Sequence, residues 1–160
     1  MTVCTQDRRW IFWENDVNLA SESQSDAEGT SKTAEVGAII DRPQKWELSY
    51  CGQIADKAIN YIPMVYPEVK VDNYVIMPNH IHLLLTIQND NSGRAMIAPT
   101  VSRVVKQLKG YISKQLGESV FQRSYYDHII RDMNDYLAFW QYIDENPAKW
   151  ELDEYHKSIT

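Results

Sequence analysis

VKVDNYVIMPNHIHLLLTIQ, Val69 to Gln88, decides how the rest of the chain is read. It divides into two β-type runs, VKVDNYVIM (Val69 to Met77) and HIHLLLTIQ (His80 to Gln88), both rich in branched and aromatic residues. Only Pro78 and Asn79 separate them, which is a hairpin or tight-turn signature and starts the second strand at His80. Strand side chains alternate with period two, so His80 and His82 project from one face and Ile81, Leu83 and Leu85 from the other. One sheet face is then expected to be core, and on the other both imidazoles can reach a single cation. Taken alone, a His-x-His pair is equally an ordinary pair of polar strand residues.

Upstream, VCTQDRRWIFW reads as a strand, and the polar stretch over 14–47 as an irregular or inserted segment. From Ser49 to about Tyr61, Ile54, Ala55, Ala58 and Ile59 recur at helical spacing, with Pro63 closing the segment. Downstream, 89–99 is a Gly/Asn/Ser linker loop. Thr100 to Leu116 then carries Val101, Val104, Val105, Leu108, Ile112 and Leu116 on a helical face, and Gly117 stops it. FQRSYYDHII, Phe121 to Ile130, reads as a strand or extended loop. Asp132 caps a third helix running to about Asn146, where Pro147 ends it. The element order predicts one domain over 1–160, an α+β sandwich with one antiparallel sheet of about four to five strands and helices packed on it.

A net charge of −6 argues against a protein that coats nucleic acid nonspecifically, because Lys and Arg neutralisation of phosphate dominates such binding. The positive charge is clustered, however: Arg103, Lys106, Lys109 and Lys114 share one segment, and with Arg123 they are the candidate DNA contacts. A solvated helix face explains each of them equally well. Cys4 and Cys51 lack zinc-knuckle spacing and read as two free thiols. No apolar run reaches the roughly 20 residues of a membrane-spanning helix, and the N-terminus lacks a signal-peptide layout, so a cytoplasmic protein is expected.

In the third helix Tyr142 and Asn146 lie four residues apart and share a face, so a phenol and a side-chain amide can meet at one place. A phenol is a poor nucleophile at its ordinary pKa near 10, and a divalent cation that polarises a phosphate makes its attack feasible. The plainer reading makes Tyr142 a core residue with its hydroxyl at the rim and Asn146 a helix-end residue. Tyr125 and Tyr126 form a rival nucleophile pair, but they sit on a strand-like run. His128 and Asp127, being strand neighbours, point to opposite faces, which leaves His128 a structural or DNA-contact role.

YVIMPNHIHLLL, Tyr74 to Leu85, resembles the metal-binding signature of the single-tyrosine transposases related to insertion sequence 200. FQRSYYDHIIRDMNDYLAFWQYIDENPAKW, Phe121 to Trp150, is similar in particular to the branch called REP-associated tyrosine transposases, and SRVVKQLKGYISKQLG fits the helix between. The resemblance covers roughly Leu48 to Trp150. It implies a ferredoxin-like or RNA-recognition-like sandwich in which His80 and His82 are metal ligands, Asn146 completes the metal site and Tyr142 is the nucleophile. It also implies Mg²⁺ or Mn²⁺ as cofactor, and single-stranded DNA, often a hairpin, as substrate. The tyrosine would attack a phosphate to leave a 5′-phosphotyrosyl link and a free 3′-OH, and reversal would join strands. Relatives act as dimers or as monomers, so oligomeric state stays open. The abrupt first strand and the long polar stretch depart from the family pattern and fit a shortened copy. Two rival readings are a noncatalytic module that binds single-stranded or hairpin nucleic acid, and a phosphodiesterase using water.

Overall fold

The computed structural model describes residues 1–14, 47–88 and 101–156; the polar segment and the linker loop expected over 14–47 and 89–99 fall almost wholly outside them. Three strands form the sheet: β1 (Thr2–Cys4), β2 (Val69–Ile76) and β3 (His80–Ile87), in the antiparallel order β1-β3-β2. The hairpin falls where Pro78 and Asn79 predict it, closed by Met77 N–H donating to the His80 carbonyl at 2.8 Å. An extra residue, Asp72, bulges β2 between the pairs Val71–Leu85 and Asn73–Leu84.

As the central strand, β3 is paired along both edges, and with helices on both faces of the sheet His80 through Leu84 are all buried. Ile81 and Leu83 join Val3 in the core with α1 (Tyr50–Asn60) and α3 (Val101–Leu116), which contribute Ala55, Ile59, Val104, Leu108 and Ile112. The opposite face, carrying His80 and His82, is closed by α4 (Met133–Glu145) and a following 3-10 turn, Pro147–Leu152. Helix α1 begins with Ser49 accepting from Gly52 N–H at 3.1 Å, and Pro63 lies in the first turn of a single-turn helix, α2 (Ile62–Val65). Gly117 ends α3 with φ +74°, and Asp132 caps α4 by accepting from the Asp135 amide, both as the sequence indicates.

The sheet has fewer continuous strands than expected because the segment after α3 pairs with β1 only at intervals. Gln122 N–H donates to the Cys4 carbonyl, while Tyr126 and Thr2 exchange two backbone hydrogen bonds. Four residues on one chain therefore span two on β1, and no continuous ladder can form. The Lys109 ammonium fills the resulting bulge, donating to the carbonyls of Gln122 at 2.7 Å and Ser124 at 2.8 Å. The first strand is also shorter than its sequence run. After Cys4 the chain turns through Gln6–Arg8, with Asp7 and Arg8 at φ 54° and 53°, and then wraps the hairpin tip. There the Asn79 carbonyl accepts from Thr5 N–H, and the Pro78 carbonyl accepts from Ile11 and Phe12 N–H.

Two helical glycines have opposite surroundings. A Cβ at Gly52 would lie 2.2 Å from the Phe12 carbonyl oxygen, whereas one at Gly110 meets nothing within 4 Å. Gly52→Ala should therefore destabilise by about 1–3 kcal/mol despite its better helix propensity, and Gly110→Ala should stabilise by about 0.5–1 kcal/mol. Urea unfolding of the two variants measures both signs, and equal shifts in the same direction would contradict the packing described for α1.

Candidate metal and tyrosine centre

Register places the two histidines. Cys4 pairs with His80 and Thr2 with His82, so both rings rise from the same face of the central strand, and their Nε2 atoms lie 3.0 Å apart. Asn79 fixes the proton on His80. Its Nδ2 donates to the carbonyls of Tyr155 at 2.9 Å and Arg8 at 3.3 Å, which pins the amide so that Oδ1 faces His80 Nδ1 at 2.8 Å. An amide oxygen only accepts, so Nδ1 carries the hydrogen and His80 Nε2 presents a lone pair. His82 Nδ1 lies 2.8 Å from Thr2 Oγ1, a hydroxyl that can donate or accept. His82 can therefore direct Nε2–H at His80, or move its proton to Nδ1 and turn a second lone pair toward the same point. The second state is the one that binds a cation, and each ring then has an outer hydrogen-bond partner.

The donor set fits a divalent ion. Two nitrogens each about 2.1 Å from one metal and at right angles are about 3.0 Å apart, the spacing an octahedral ion accepts. Asp153 supplies a carboxylate: its Oδ1 accepts from Tyr155 N–H at 2.7 Å, and its Oδ2 lies 4.0 Å from His80 Nε2. His80, His82 and Asp153 offer ligand atoms all within 4.8 Å of one another. Asn146 is 4 % exposed and its Nδ2 has no hydrogen-bond partner; flipping the amide would put Oδ1, the atom a cation can bind, in that place. Those four residues could hold the metal.

Tyr142 projects from α4 onto this group, with its hydroxyl 3.4 Å from His82 Nε2 and its ring edge-on to the imidazole at 5.1 Å. Burial raises the Tyr142 pKa, with Asp153 and Glu154 adding to the rise and the Asn146 side chain opposing it. Burial likewise lifts the Asp153 carboxyl, against the pull of the Tyr155 amide. Burial lowers His80 to about 2, with His82 and Arg8 contributing, and His82 to about 3, with the Met1 amino group contributing. Each shift disfavours the charged form, and loss of solvent on burial is the largest cause in every case.

His80, His82, Tyr142 and Asn146, singled out by sequence, are thus brought together. The basic candidates are not part of this centre. Arg103, Lys106 and Lys114 are exposed on the side of α3 turned away from its buried row, and Lys109 holds backbone carbonyls. Arg123 is exposed and lines, with Arg8 and Lys109, a separate depression of about 990 Å³. Tyr125 hydrogen-bonds Ser102 through its hydroxyl, at 2.7 Å, and Tyr126 is exposed beside β1. Sequence reasoning missed Asp153, Asn79 and Thr2. Asn79 had a weak signal, an amide immediately before the first histidine; Asp153 had only its place in an acidic tail.

No known family model matches the chain. It is 31% identical over 137 residues to an uncharacterized protein of Haemophilus influenzae, covering 74% of this chain and 75% of that one. It is 28% identical over 101 residues to a putative REP-associated tyrosine transposase of the same organism, spanning 52% of this chain and 57% of that relative. Among solved structures, a REP-associated tyrosine transposase bound to a REP hairpin matches with TM-score 0.52 and 23% identity, over 64% of this chain and 58% of that one. The chain belongs to one family with the uncharacterized Haemophilus influenzae protein, is related to a putative REP-associated tyrosine transposase, and has the fold of a solved one.

Proposed function

We propose that the protein is a metal-dependent transposase of the single-tyrosine type, cleaving and rejoining single-stranded DNA, a hairpin flank being the expected substrate. The observation that carries this reading is the meeting of two imidazole Nε2 atoms 3.0 Å apart with a tyrosine hydroxyl 3.4 Å from one of them. The relationship to REP-associated tyrosine transposases, one of them solved with a hairpin, supports it.

His80, His82 and either Asp153 or Asn146 would hold Mg²⁺ or Mn²⁺. When bound, the ion withdraws charge from a phosphate oxygen and from the nearby phenol. The protein's part is positioning. Helix α4 carries Tyr142 to the imidazoles, and Asn79 and Thr2 orient the two rings from behind. Tyr142 Oη attacks phosphorus, the bond from phosphorus to O3′ breaks, and a 5′-phosphotyrosine and a free 3′-OH result. The displaced 3′-OH, kept nearby or replaced by another strand's, reverses the step and reseals DNA.

Incubation with labelled single-stranded hairpins from the gene's flanks and Mn²⁺ should give a denaturation-resistant protein-DNA adduct. Adduct formation should fall by at least about 10³-fold in Tyr142→Phe, since that variant has no nucleophile at this position. Tight binding by the wild type without any adduct would instead favour a noncatalytic module.

The histidines also set a stability test. Their folded pKa values lie far below the unfolded value of about 6.5, so the unfolded chain takes up more protons as pH falls. Their contribution is complete above about pH 6.5 and is lost on acidification toward about pH 3. Between about pH 6 and 4 the metal-free protein should lose roughly 2–3 kcal/mol per pH unit from the pair, read from urea midpoints. Replacing His82 by Gln should about halve that slope. Mn²⁺ at neutral pH should raise the wild-type melting temperature and leave the variant's nearly unmoved; equal metal shifts in both would overturn the assignment.

A further inference from the structure

The cleft in front of Tyr142 has about 640 Å³ of space and is lined by His82, Leu84, Thr86, Asp127 to Ile130, Phe139 and Tyr142 among others. No Lys or Arg is among its described lining residues, and Asp127 and Glu154 add negative charge. The Met1 amino group also lines the cleft, donating to the Leu83 carbonyl at 3.0 Å, and the basic groups on α3 lie outside it, so a polyanionic strand gains from a further positively charged partner beside the tyrosine.

Resting on the proposed phosphotyrosine chemistry, we propose that His128, oriented by Asp135, grips the sugar-phosphate backbone of the strand at a phosphate neighbouring the scissile one. His128 Nε2 lies 2.9 Å from Asp135 Oδ2, and its ring stacks on Phe139 at 4.8 Å with 28° between the planes. The ring is held on two sides although its side chain is 52 % exposed, so burial is not what orders it. Asp135 is itself fixed: its amide donates to the Asp132 cap, and its Oδ2 also receives Arg131 N–H. Asp135, Phe139, Tyr142 and Asn146 recur at spacings of four, three and four, forming one stripe along α4. Phe139, on which the imidazole stacks, precedes Tyr142 by three residues on α4, and His128 and Tyr142 line the same cleft.

With Nε2–H given to the Asp135 carboxylate, Nδ1 is the ring's remaining polar atom. An imidazolium donates from both nitrogens at once, to the carboxylate on one side and to a phosphate oxygen on the other. Asp135 acts only through His128 and is a positioning residue.

The test measures binding, with no cleavage step, by the full-length protein carrying Tyr142→Phe. Fluorescent single-stranded hairpin flanks carry one uncharged methylphosphonate, moved phosphate by phosphate through the single-stranded part. At one position the neutral linkage should weaken binding about tenfold, the size of one charge-assisted contact, and in a protein that also carries His128→Ala it should add nothing there. His128→Phe, which keeps the stack on Phe139 and loses both nitrogens, should behave like His128→Ala, and Asp135→Asn should show a smaller loss at that same position. Binding unaffected by His128→Ala, or losses that multiply at every position, would overturn the proposal. Because Tyr142 is absent throughout, these results stand apart from whether the wild type forms a covalent adduct.

Discussion

Two imidazole nitrogens 3.0 Å apart in a buried setting are the constraint around which the molecule is arranged. Facing lone pairs repel, and burial forbids relief by protonation, so the pair is stable only with one shared proton or one shared cation. Everything that fixes which of the two prevails comes from outside the strand. The Asn79 amide orients His80, and Asn79 is in turn pinned by carbonyls at Arg8 and Tyr155, near the two ends of the chain. The hairpin tip, the wrapped N-terminal segment and the turn after α4 therefore converge on one tautomer. A change at the Asn79 amide would be felt at the metal position without touching it.

The sequence made the histidine pair legible because period-two alternation follows from strand geometry alone, and the Tyr142–Asn146 pairing because four residues make about one helical turn. Asp153 was not legible. It reaches His80 only because the chain past Pro147 winds into a 3-10 turn whose Trp150 packs near the imidazole, a tertiary outcome with no local pattern. The short sheet was hidden for a similar reason: FQRSYYDHII has strand composition, but its register against β1 leaves two unpaired residues, and Lys109 occupies the gap they open. Lys109 reads as a phosphate ligand until its carbonyl partners are seen. His128 shows the converse, since setting aside its neighbour Asp127 left unconsidered Asp135, seven residues on, which α4 carries back to the ring.

Electrostatics ties the fold to the chemistry. With a net charge of −6, the chain cannot hold a polyanion by overall attraction, and its exposed basic residues on α3 do not line the cleft in front of the tyrosine. Burial near Tyr142 pushes the phenol toward its neutral form and keeps both histidines uncharged. The same burial strengthens the field of any cation that enters, because few water dipoles are near to screen it. On the proposed chemistry, the centre is inert without metal and active with it.

Anomalous scattering from crystals grown with Mn²⁺ tests that central claim most directly. The account predicts one strong peak about 2.1–2.3 Å from Nε2 of both His80 and His82, beside the Tyr142 hydroxyl. Ordered crystals with no peak between the two rings at saturating Mn²⁺, and the rings still joined by their own hydrogen bond, would contradict it.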